Sequence, residues 1–137
     1  MVVCPESAAF RLPAESARAF GRTQVVEQVL VPLGEARAAG IRLAQSPLVV
    51  IAETHAFPAR DWAEHLVGAH AEGWNAVIPA VENANAGSAL SWSAYVVDYG
   101  RWAPNGGSGE IGDPPSYHAS FERDTLVAFG PRLGVLL

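Results

Sequence analysis

Leu48-Val49-Val50-Ile51-Ala52-Glu53-Thr54-His55-Ala56-Phe57-Pro58-Ala59-Arg60-Asp61-Trp62 is the stretch on which the fold turns. Its first five residues are apolar without a break. Such a run reads as a fully buried strand of a parallel sheet. It ends abruptly at Glu53 and His55, two ligand-type side chains. Open α/β sheets place their chemistry at the carboxyl ends of strands. Residues two apart on an extended backbone point to the same side. A carboxylate and an imidazole so placed can hold a divalent cation and, through it, a diphosphate. Pro58 stops the extended segment, and a helix is expected from Asp61. A plain strand-to-loop transition accounts for the same residues and stays open at this point.

Elements follow outward in both directions. Residues 2–4 read as a short strand closed by Pro5, residues 13–20 as a helix, and the β-branched run 25–31 as a second strand. A helix over 35–45 carries Ala36, Ala39 and Leu43 on one face. Gly40 inside it costs stability relative to Ala and marks a close approach of helix to sheet. Strand, helix and strand in this order imply a right-handed parallel crossover into residues 48–52. Downstream, residues 61–72 form a helix with Trp62, Leu66 and Ala69 on one face, Asp61 before it and Gly73 after it. Residues 76–81 are another apolar strand, opening into the turn-rich loop 82–87. Ser88 caps a helix bearing Leu90, Trp92, Tyr95 and Tyr99. Residues 103–116 form a long Gly/Pro loop, a strand is expected at 117–121, and a short helix at 124–129.

With 137 residues, half of them hydrophobic and 17% charged, the chain has the material for one core. It is read as a single domain, 1–137. A net charge of −5 argues against a nucleic-acid partner. All nine basic residues are Arg, a pattern expected of a GC-rich bacterial coding sequence. Cys4 is the only cysteine, which rules out an intramolecular disulfide and a cysteine-based zinc site. No apolar stretch reaches the roughly 20 residues of a membrane-spanning helix. No signal peptide is visible at the start, so a cytoplasmic location is expected.

Several segments, in order, resemble the middle of the family 2 glycosyltransferases. They are Gly34-Glu35-Ala36-Arg37-Ala38-Ala39-Gly40, the strand 48–52, Glu53-Thr54-His55, Pro58 and Trp62, then Ala76-Val77-Ile78-Pro79-Ala80-Val81-Glu82-Asn83, Ser91-Trp92 and Ser120-Phe121-Glu122-Arg123-Asp124. The resemblance implies an A-type nucleotide-sugar-binding fold: α/β, Rossmann-like, with a mostly parallel central sheet and flanking helices, shortened at both ends. It implies transfer of a sugar from a nucleotide-sugar donor, such as a uridine diphosphate sugar, to an unknown acceptor. Glu53 and His55 would hold Mn²⁺ or Mg²⁺ at the donor diphosphate. Arg37 would assist at the nucleotide, and Asn83 would reach a sugar hydroxyl.

The sequence departs from the family pattern at several places. Thr54 stands where some branches carry a central acid, Ala38 follows Arg37 in place of Asn, and Ala119 follows His118 in place of Asn. The family's first strand would lie before Val2 and its general base beyond Leu137, so no catalytic base is assigned. A degenerate activity follows as an expectation. The alternative is a non-catalytic module of the same fold serving binding or assembly, with self-association covering unpaired strand edges. Turn chemistry accounts for Asn83 without a ligand. The aromatic group Trp92, Tyr95, Tyr99 and Trp102 reads as core before it reads as a sugar platform. His65 and His70, five apart, read as surface residues.

Overall fold

A computed structural model describes residues 1–6, 10, 11, 13–115 and 117–137. The chain divides into two compact units, one of Met1–Ile51 with Phe121–Leu137 and one of Ala52–Ser120.

In the first unit, β1 (Val2–Cys4) and β2 (Val25–Glu27) pair in parallel, with Val2 opposite Val25 and Cys4 opposite Glu27. Helix α1 (Ala14–Ala19) lies in the connection that parallel pairing requires. β2 ends four residues before the β-branched run 25–31 does, because its three-residue partner offers no further backbone; Val29 and Val31 are left exposed. Helix α2 (Leu33–Leu43) buries Gly34, Ala36, Ala38 and Ile41. Gly34, Ala38 and Ile41 are spaced by four and three, one stripe of a helix. Of the expected face, Ala36 is buried, Ala39 is partly buried and Leu43 is half exposed. Gly40 behaves as its composition suggested, since a Cβ there would lie 3.1 Å from Val3 Cγ2 of β1. Gly34 packs more tightly still. A Cβ on it would land on the carbonyl oxygen of Gly134 in α6 (Leu133–Leu136), while α5 (Arg123–Val127) packs on the same helix.

β3 (Leu48–Ile51) belongs to a second sheet, of three strands in the order β3-β5-β4, with β5 (Ala119–Glu122) central and β4 (Ala76–Val77) outside it. The Arg123 N–H donates to the Pro47 carbonyl at 2.7 Å. β5 therefore ends where β3 begins, and the pair is antiparallel. The fold class is mixed α/β, but the mostly parallel central sheet is corrected: parallel pairing is confined to β1 and β2, and the three-stranded sheet is antiparallel. The expected crossover into β3 is corrected with it, since β2 and β3 lie in different sheets. The physical reason is that an apolar run reports burial, and burial is blind to the direction of the neighbouring strand.

In the second unit, α3 (Trp62–Ala71) buries Leu66 and His70. Gly73, at φ 99°, ends it in the left-handed region that favours glycine. β4 stops at Val77, well short of the run expected to 81. Val81 instead receives the Tyr95 hydroxyl on its carbonyl and donates its N–H to Trp102. Helix α4 (Ala89–Tyr99) starts as expected at Ser88, whose Oγ accepts the Ser91 N–H at 3.0 Å. The Gly/Pro loop carries one 3₁₀ turn at Pro104–Gly106 and is otherwise irregular; Ser116 lies outside the described residues. No helix among the described residues is long and apolar enough to cross a membrane.

Candidate metal centre

Antiparallel pairing decides what meets what. The end of β3 and the start of β5 share one edge of the sheet. Glu53 and His55 follow β3, and His118 immediately precedes β5. The three converge. Glu53 Oε2 lies 2.8 Å from His118 Nε2 and 3.2 Å from His55 Nε2. One ligand atom from each residue falls within 4.8 Å of the other two. Neighbouring ligands on an ion with bond lengths of about 2.1 Å stand about 3 Å apart, so these spacings suit a shared cation.

A fourth group touches the cluster. The Tyr99 hydroxyl, at the end of α4, donates to Glu53 Oε2 at 3.1 Å and lies 3.1 Å from His55 Nε2. Burial, then the hydrogen bond to Glu53 and the negative charges of Glu53 and Asp98, hold the Tyr99 phenol above its ordinary pKa. It therefore keeps its proton and serves as a donor to the carboxylate.

Burial is graded across the site. The His118 side chain is 11% exposed, Glu53 27% and His55 68%, so the cluster opens on the His55 side. His118 is packed edge-on against the rings of Tyr99 at 5.5 Å and Tyr117 at 5.7 Å. Its backbone sits at φ 50°, the left-handed region that costs an ordinary side chain about 1–2 kcal/mol. Strain of this kind persists where surrounding contacts over-determine it, and it concentrates at functional sites.

Glu53 and His55 thus lie together as their spacing suggests. His118 joins them, although its sequence signal, a family-like position before Ser120-Phe121, named no ligand role. Tyr99 joins as well; helical spacing assigned it to the core. Arg37 lies in the first unit on α2, where its guanidinium donates to the Leu137 carbonyl at 3.0 Å. Asn83 Oδ1 accepts the Asn85 N–H at 2.9 Å and the Ser91 hydroxyl at 3.0 Å. Those two donors fix the amide orientation. Its Nδ2 is buried without a hydrogen-bond partner. The local bonding is that of a turn.

His65 is exposed, as its spacing suggested, but His70 is not: it is buried, with Nδ1 2.6 Å from the Trp74 carbonyl and Nε2 2.8 Å from Ser120 Oγ. A serine fifty residues downstream supplied its partner, which no local pattern could show. Of the aromatic group, Tyr95 is buried while Trp92 is half exposed with its indole N–H on the Ala86 carbonyl.

No family model matches the chain, and neither a curated protein nor a solved structure matches it.

Proposed function

We propose that this chain is a glycosyltransferase-like protein of the A-type nucleotide-sugar-binding class, whose Glu53, His55 and His118 hold a divalent cation at the diphosphate of a uridine diphosphate sugar. The observation that carries the reading is the convergence of one carboxylate oxygen and two imidazole nitrogens within 4.8 Å. Sugar transfer leaves charge on the departing diphosphate, and a cation of the Mn²⁺ or Mg²⁺ type neutralises it. The residues do the rest. Glu53 supplies the one formal negative charge among the three ligands. His118, packed between aromatic rings, fixes one ligand direction. His55, on the exposed side, leaves the approach open to a large anion. Tyr99 holds the Glu53 carboxylate through its hydroxyl. The resemblance to the family 2 glycosyltransferases implies the same role for Glu53 and His55.

Calorimetric titration with uridine diphosphate, with and without Mn²⁺, tests this. Binding that needs both the ion and Glu53 is expected, with Glu53→Ala abolishing it. A folded chain that binds the nucleotide equally well without metal, or not at all, overturns the donor-site reading.

A second reading is a non-catalytic module of the same class, serving binding or assembly as a homo-oligomer. Leu90 and Val97, seven residues apart on one face of α4, are 81% and 83% exposed. Analytical ultracentrifugation of the wild type against Leu90→Ser/Val97→Ser tests it: a dimer dispersed by the double substitution favours assembly, and a monomeric wild type removes the oligomer.

A further inference from the structure

We infer that Glu53, His55 and His118 select a first-row transition ion over Mg²⁺ and Ca²⁺. The inference rests on the reading above, that the cluster holds a divalent cation, and it specifies which chemical class of ion.

The donor set is two imidazole nitrogens and one carboxylate oxygen. Mg²⁺ and Ca²⁺ are hard ions that take oxygen ligands, and Mg²⁺ gives up its waters reluctantly. Imidazole suits Zn²⁺, Co²⁺, Fe²⁺ and Mn²⁺, with affinity at such a site rising from Mn²⁺ toward Zn²⁺. A hard-ion site would present several carboxylates, yet Glu53 supplies the one carboxylate of the cluster and Thr54, between the two leading ligands, has no charge.

Geometry supports the same choice. His118 is the least exposed of the three side chains, wedged against Tyr99 and Tyr117, and its strained backbone aims Nε2 to 2.8 Å from Glu53 Oε2. An imidazole held this firmly acts as an inner ligand, and it replaces the second carboxylate that Mg²⁺ would need. The cluster is also closed by an outer contact, the Tyr99 hydroxyl on the ligating carboxylate, of the kind that orients metal ligands.

Equilibrium titration of the full chain with Mn²⁺, Co²⁺, Zn²⁺ and Mg²⁺, each alone, with the visible spectrum of the Co²⁺ form recorded, tests the inference. The informative variant is His118→Asn. Asn tolerates the left-handed backbone and offers an amide oxygen in place of the nitrogen, so folding is spared while the donor changes. Expected for the wild type are Co²⁺ and Zn²⁺ binding at least on the order of 100-fold tighter than Mg²⁺, with Mn²⁺ between them. In His118→Asn, Co²⁺ and Zn²⁺ affinity should fall on the order of 100-fold, with an altered Co²⁺ spectrum and an unchanged metal-free melting temperature. Mg²⁺ binding as tight as Co²⁺ overturns the ion class and leaves the cation reading standing. Transition-ion binding indifferent to His118→Asn removes His118 from the ligand set and overturns the inference. Failure of every ion to bind a folded chain overturns both readings together.

Discussion

The Tyr99 hydroxyl donates to Glu53 Oε2 at 3.1 Å, and that same oxygen faces the Nε2 atoms of His55 and His118. One carboxylate oxygen is thus faced by polar groups from three segments of the chain. In the metal-free protein the cluster is a hydrogen-bonded knot.

Tyr99→Phe removes the hydroxyl and leaves the ring in its edge contacts with His118 and Tyr117. Removing an outer partner of a metal ligand typically costs 10–100-fold in affinity. Transition-ion affinity, measured calorimetrically, is expected to fall by about that factor. Unchanged affinity would mean that Glu53 is oriented without Tyr99.

Alkaline pH reads the same contact in the metal-free protein. The folded state holds the Tyr99 proton more tightly than the unfolded chain does, through burial and then Glu53. The resulting stabilisation is present below the ordinary tyrosine pKa of about 10 and is lost as pH rises through the higher folded value. Phenolate absorbance should show one tyrosine ionising later than the others. Glu53→Gln should move it back toward the ordinary range.

Acid should weaken metal binding. Imidazole binds a metal ion only through a deprotonated nitrogen, so protons compete with the ion. Ion affinity, measured calorimetrically, is expected to fall as the solution is acidified. Affinity that does not change with pH would exclude imidazole ligation.

The buried pair His70 and Ser120 carries stability. Nδ1 donates to the Trp74 carbonyl, and Nε2 lies 2.8 Å from Ser120 Oγ, which also reaches the Val77 carbonyl at 3.4 Å. Ser120→Ala strands that ring nitrogen in the interior, at an expected cost of about 1–3 kcal/mol in urea unfolding. A change below about 0.5 kcal/mol would show that water replaces the hydroxyl.

Two glycines in helices should respond in opposite directions. Gly34→Ala drives a methyl into the Gly134 carbonyl and should destabilise by about 1–3 kcal/mol. Gly68→Ala, on the exposed side of α3 with nothing within 4 Å, should stabilise by about 0.5–1 kcal/mol. Thermal melts of the two variants check both signs.

Local chemistry made several features legible in the sequence. The cap at Ser88, the left-handed stop at Gly73, the close approach at Gly40 and the place of the strand before Glu53 all depend on residues near one another in the chain. Glu53 and His55 share a side because they stand two apart on an extended backbone, so two of the three members of the metal cluster were readable without a fold. The apolar runs marked strands, but their lengths followed their partners: β2 stops with β1, and β4 stops at Val77, while Val81 further along the run bonds to Trp102 and Tyr95. Strand direction was decided only in three dimensions, because an apolar run is equally buried beside a parallel or an antiparallel neighbour. That one decision placed His118 beside Glu53, across sixty-five residues of chain. Tyr99 arrived by the same route: helical spacing assigned it a face, and the packing of α4 determined that a carboxylate lay on that face.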